Sequence, residues 1–150
     1  MSDKLNQNLP ILILLASGFE EETAVSCMSH LRSAGLPVSL VGLSSGTVRG
    51  LHGLTIQPDQ TLTELPKDKS AKMIIVPGNG QCTNALLMSP RFHQLIANTI
   101  DNQGYVVTGN SAENALKNAG IPQRTPAPQY IIQGNKEVCD FADELVDLAK

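Results

Sequence analysis

The 150 residues carry a net charge of -3, with 41% apolar and 17% charged side chains. That length suits one domain built on a covered sheet, and the apolar share supports a folded core rather than a disordered chain. The mild acidity and the absence of any Lys/Arg run exclude the electrostatic footprint of a nucleic-acid or anionic-membrane binder.

Residues 1–8 read as a flexible leader to a single domain. The leader lacks a positive n-region and no small-residue cleavage site follows it, which places the expected location in the cytoplasm. The longest apolar stretch, Pro10 to Ala16, is far shorter than the ~20 residues needed to cross a bilayer, so no membrane span is expected. Within it, Ile11 to Ala16 is a continuous β-branched and leucine run and predicts a strand. From Glu21 to Ala34 the spacing of Ala24, Met28, Leu31 and Ala34 is helical, with Gly35 as the stop. Pro37 to Leu43 reads as a second strand, and the glycines at 46, 50 and 53 suggest small hairpins across Ser44 to Asp59.

Lys72 to Val76 predicts a third strand, closed by the turn Pro77-Gly78-Asn79-Gly80. Ser89 as cap and Pro90 in the first turn open a helix in which Phe92, Leu95, Ile96, Thr99 and Ile100 repeat at 3.6 until Gly104. Tyr105 to Thr108 makes a fourth strand, Gly109-Asn110 a sharp turn, and Ser111 to Ala119 a short helix. Pro122 to Pro128 reads as an extended connection to a brief strand, Gln129 to Ile132. A last helix is capped by Asn135 and presents Val138, Phe141, Ala142, Leu145, Val146 and Ala149 on one face.

Strands apolar on both faces and separated by helices predict an α/β fold: a mostly parallel central sheet, covered on both sides, in three layers. Ligands in such folds sit outside the carboxyl ends of the strands, here Ser17 to Glu22, Pro77 to Gln81 and Gly109 to Ser111.

Three blocks at those strand ends resemble the ThiJ/PfpI superfamily, a flavodoxin-like fold related to class I glutamine amidotransferases. ILILLASGFEEETAV at 11–25 is similar to its opening strand and acidic helix start, and MIIVPGNG at 73–80 to the strand whose following glycine amides form an oxyanion hole. VRGLHGLTIQPDQTL at 48–62 resembles its glycine-containing hairpins. GYVVTGNSAENAL at 104–116 falls where the family has its nucleophile elbow, and there the pattern departs. An ungapped count puts Asn110 at the cysteine position and Thr23 at the position of the cysteine-contacting Glu. Glu22 lies about 100° around the helix from that place. The family's further His has no counterpart in Pro122 to Pro128, because His30, His52 and His93 all lie elsewhere. The resemblance therefore implies a dimer that keeps the pocket and lacks its thiolate nucleophile.

That pocket would combine the amides of Gly78 and Asn79 with the side chains of Glu22, Thr23, Asn110 and Ser111, a set able to hydrogen-bond a small polar ligand or a protein partner. The catalytic alternative is a hydrolase using Ser111, since Gly109-Asn110-Ser111 partly spells the Gly-x-Ser-x-Gly elbow. Against it stand Glu113 in place of the second Gly, the lack of any following His, and an equally good role for Ser111 as a helix cap. A deglycase or glyoxalase-type activity through Cys82 would need a thiol activated at a helix start, whereas the blander expectation is a semi-exposed structural thiol. A third reading is a structural subunit whose crevice is closed, plugged by Pro122 to Pro128. The three cysteines, Cys27, Cys82 and Cys139, are too far apart for a disulfide framework or a Cys-x-x-Cys pair. Cys27 and Cys139 are expected beside core positions. No histidine has a partner at metal-ligand spacing, so neither metal nor cofactor is expected.

Overall fold

Which way each crossover leaves the sheet decides where this molecule can bind anything. The computed structural model describes residues 9–78, 80–108, 130–132 and 136–150. In chain order its elements are β1 (Ile11–Leu15), α1 (Glu21–Ser33), β2 (Val38–Gly42), β3 (Val48–Arg49), β4 (Thr55–Ile56) and β5 (Gln60–Thr61). A 3-10 turn (Leu62–Glu64) leads to β6 (Met73–Val76), α2 (Gly80–Leu87), α3 (Pro90–Asp101), β7 (Tyr105–Thr108), β8 (Tyr130–Ile132) and α4 (Val138–Ala149).

Six strands form one sheet in the order β5-β2-β1-β6-β7-β8, every pairing parallel. From β1 the chain moves outward to β2, while from β6 it moves the opposite way to β7. Right-handed crossovers then put α1 on one face and α2 with α3 on the other. The packing agrees: α1 lies against α4 and β2, and α3 against α2, β6 and β7. This is the three-layer α/β sandwich that the apolar runs predict.

Central strands covered on both faces must be apolar throughout. All five residues of β1 have no exposed surface, and β6 is buried from Met73 to Val76. Phe92, Leu95, Ile96, Thr99 and Ile100 on α3 are buried as their spacing requires. Each such large apolar side chain contributes roughly 1.5–3 kcal/mol by leaving water. On α4 the buried set is Phe141, Ala142, Leu145 and Ala149, while Val138 and Val146 are only partly covered.

Several local expectations change. Between β2 and β5 a single antiparallel hairpin forms, pairing Val48 with Ile56 and Arg49 with Thr55. Gln60 and Thr61, with no apolar pattern of their own, pair with Val41 and Gly42 as the sheet's outer strand. Ser89 caps α3 by position without a side-chain hydrogen bond. α4 starts from Glu137, and its expected cap Asn135 lies outside the described residues, as do the predicted helix 111–119 and connection 122–128.

The two helix stops are unlike. After α1, Gly35 takes φ +81° and Leu36 N–H reaches the Leu31 carbonyl, a Schellman closure. After α3 the left-handed residue is Gln103 (φ 64°), and Gly104 N–H closes on Thr99. Gly104 is there for space, since a Cβ would meet the Ala71 carbonyl and the Thr99 methyl at 2.5 Å.

Candidate functional site

Because the chain runs in opposite directions from β1 and from β6, the crevice of an open α/β sheet falls between the carboxyl ends of those two strands. Ala16 to Phe19 forms a turn closed by Phe19 N–H to the Ala16 carbonyl, with Gly18 at φ +87° where a type II turn requires a positive value. This loop is tied on both sides. Toward the hairpin, Gly18 N–H donates to Arg49 O (2.9 Å) and Leu51 N–H to Phe19 O (2.9 Å). Toward β6, Glu20 N–H donates to Pro77 O (2.7 Å), and Phe19 and Gly78 form an antiparallel bridge. The Phe19 ring is fully buried, so a large apolar side chain fills the base of the switch point.

The turn after β6 is folded on itself. Gly78 N–H donates to Val76 O at 3.1 Å, and Gly78 O accepts the Thr83 hydroxyl at 3.5 Å. The amide expected to face a ligand is thus engaged inside the turn, and an oxyanion would have to compete for it. Gly78 also has no room for a side chain, as a Cβ would lie 2.6 Å from Cys82 Cβ and 2.9 Å from its sulfur. The Gln81 side chain lies over Gly18 in the same way, with Oε1 2.7 Å from a Cβ there.

Of the six predicted binding residues, Thr23 and Gly78 lie at this junction. Thr23 is buried and donates to Glu20 Oε2 at 3.3 Å. Glu22 is exposed on α1. The carboxylate held beside Thr23 is Glu20, which was not among the predicted binding residues. Three-residue spacing at the start of a helix was the signal for that contact. Asn79, Asn110 and Ser111 lie outside the described residues. Thr108, at the carboxyl end of β7 and paired in register with Val76, was also missed. It is 2% exposed, and its hydroxyl has no hydrogen-bond partner among the described residues.

Cys82 corrects an expectation. It is fully buried, not semi-exposed, because the short helix α2 turns Cys82, Thr83 and Leu86 inward together. Burial pushes its thiol up to about 11; a hydrogen bond with the backbone at Ala16 pulls it part of the way back, and the Glu20 charge raises it further. A thiol so placed stays protonated at neutral pH, and the helix start does not activate it. Cys27, buried in α1, is pushed up to about 12 by the same desolvation. Cys139, expected beside the core, is exposed.

Next to this junction the hairpin is locked by Glu21. Its Oε2 accepts His52 N–H at 2.6 Å and Leu54 N–H at 3.3 Å, and Oε1 lies 3.1 Å from His52 Nδ1. Gly50 makes room for it, since a Cβ there would sit 2.6 Å from the Glu21 carboxyl carbon. Desolvation works to raise the Glu21 pKa, but the hydrogen bonds from its own amide, from His52 and from Leu54 outweigh it and hold the group at about 2. The other histidines are engaged too: His30 Nδ1 meets Asp143 Oδ1 at 2.7 Å, and His93 Nε2 lies 2.8 Å from Leu87 O. Among the described residues no group of three His, Cys, Asp or Glu side chains could hold a metal, and no helix is long and apolar enough to cross a membrane.

Comparison with known proteins places these features. The model of the DJ-1/PfpI family matches residues 10–142. A curated Drosophila melanogaster relative, Protein dj-1beta, is 28% identical over 120 residues, covering 79% of this chain and 64% of that protein. The match thus spans less than two thirds of the fly protein's length. Among solved structures, oxidized Toxoplasma gondii DJ-1 superposes with a TM-score of 0.78 at 17% identity, covering 94% of each chain. Drosophila DJ-1beta gives 0.76 at 22% identity, covering 94% of this chain and 90% of that one. A DJ-1 superfamily protein of Salmonella typhimurium, solved as a Cys-to-Ala mutant, gives 0.76 at 21%, covering 92% and 88%. At these identities the structures establish the shared fold.

Proposed function

We propose, from the premise that this chain belongs to the DJ-1/PfpI family, that it is a non-catalytic member that binds a small polar ligand or a protein partner at the strand-end crevice. The observation that carries this reading is the state of Cys82. The thiol nearest the switch point is fully buried and held protonated, with its pKa pushed up to about 11. The position that the family resemblance assigns to the nucleophile is Asn110, which supplies hydrogen bonds and no attacking sulfur. What these strand ends retain is polar: the Glu20 carboxylate braced by Thr23, and the Thr108 hydroxyl, which has no partner among the described residues. These groups suit recognition better than covalent chemistry.

We read the assembly as a cytoplasmic homodimer. Supporting it, Val25 on α1 and Leu51 and Leu54 on the hairpin are large apolar residues left 39–47% exposed. They lie on a surface that Glu21 holds rigid, and rigid exposed apolar groups characterise contact surfaces.

The test is turnover of methylglyoxal and of a small activated ester by the purified chain. The expected result is no rate above buffer, unchanged by Cys82→Ser or Ser111→Ala. Turnover that either substitution abolishes would overturn the reading.

A further inference from the structure

A second hollow lies on the same carboxyl edge of the sheet, at its other side, where β2 and β5 end. Its volume is about 110 Å³, and Ser44, Ser45, Gln57, Asp59, Gln60 and Glu64 supply its polar lining. Gly42 makes the shape possible: a Cβ there would lie 2.8 Å from the Pro58 ring, so only glycine lets the segment before β5 cross the end of β2.

Its two carboxylates are fixed by the fold, each through one oxygen. Asp59 Oδ2 accepts Leu40 N–H at 2.9 Å and the Arg32 guanidinium at 3.1 Å. Glu64 Oε1 accepts Thr61 N–H at 3.1 Å and the Thr61 hydroxyl at 3.0 Å, closing the capping box of the 3-10 turn. Among the described residues the other oxygen of each carboxylate has no hydrogen-bond partner, so each remains an acceptor on a side chain the fold already restrains, which lowers the entropic cost of binding.

The lining chemistry selects among ligand classes. No Lys or Arg lines the hollow, and of its two carboxylates Asp59 is paired with Arg32 while Glu64 has no ion pair among the described residues, so the lining disfavours an anion. Among the described residues no group of three His, Cys, Asp or Glu side chains gathers here that could hold a metal. An ammonium group only donates, and would leave the donors of Ser44, Ser45, Gln57 and Gln60 unmatched. A hydroxyl both donates and accepts, which answers the carboxylates and the amides together. The hollow has room for several water-sized groups, enough for a few carbon-bound hydroxyls.

We propose that this hollow is a binding site for the adjacent hydroxyls of a small neutral sugar or polyol, separate from the strand-end crevice. The experiment is an amide NMR titration of the intact chain with D-ribose and glycerol, with ethylammonium and inorganic phosphate as competing classes. Ribose or glycerol is expected to shift the amides of residues 44–46 and 57–64 and to leave those around Gly18 and Gly78 unmoved. Gln57→Ala and Ser45→Ala remove exposed groups that the fold does not use, and each is expected to weaken binding about fivefold, the worth of one hydrogen bond. No shift with either polyol would overturn the proposal. So would equal or stronger shifts with ethylammonium or phosphate, or affinities that neither substitution changes.

Discussion

Glu20 and Glu21 are neighbours in the chain, and they serve two regions of opposite character. Glu21 turns to the β3–β4 hairpin, where three hydrogen bonds satisfy its carboxylate and its pKa falls to about 2. Glu20 turns to the switch point, where its side-chain bond among the described residues is a long one from Thr23 and its charge makes the Cys82 thiol harder to ionise. The hairpin side is a completed polar network. The switch-point side holds a buried thiol, a buried Thr108 hydroxyl with no partner among the described residues, and the Glu20 carboxylate, and groups left in that state are more typical of binding sites than of scaffolding.

The largest effect is expected at the crevice from Gly78→Ala, whose new methyl must displace Cys82. Chemical denaturation should show a loss of about 2 kcal/mol, within the usual cost of overpacking. Adding Cys82→Gly should recover part of it, and a fully tolerated Gly78→Ala would mean that the two loops are looser than described. Thr108→Val removes the unpartnered hydroxyl at constant shape, and is expected to stabilise the free protein by about 1 kcal/mol while weakening any crevice ligand. A loss of stability instead would show that the hydroxyl is satisfied.

On the hairpin side, Glu21→Gln should raise amide exchange at residues 48–56 without altering the sheet. Its pH dependence has a definite sign. The folded pKa of about 2 lies below the ordinary 4.5, so the stabilisation is complete above about 4.5 and disappears as pH falls toward 2. The difference between wild type and Glu21→Gln, followed by denaturation at a series of pH values, should therefore shrink through that window. A difference that grew on acidification would remove the hairpin lock from the account. The smallest perturbation is thiol labelling of the native chain near neutral pH. Cys139 should react readily and Cys82 and Cys27 only after unfolding, whereas rapid labelling of Cys82 would contradict its burial.

The parts legible in the sequence are those that one local pattern determines. β1 and β6 are apolar at every position because both faces are covered, and α3 carries a full stripe from Phe92 to Ile100. β5 was illegible because Gln60 and Thr61 become a strand only through pairing with β2. The choice of Glu20 over Glu22 depends on where the first helical turn starts relative to the Glu20–Pro77 bond, a contact made across more than fifty residues of chain. Cys82 was expected to be semi-exposed, and its burial goes with the crowding at Gly78 that no periodicity encodes. α3 stops before Gly104 as its sequence predicts, and the left-handed conformation there is borne by Gln103.

The two-residue β5 closes one side of the sheet. An outer strand that short exposes few unpaired peptide groups, and its first residue already lines a polar hollow. Another chain would find almost nothing there to extend by backbone pairing, which protects this margin from templated aggregation. Anything that recognises the molecule from this side must do so through side chains.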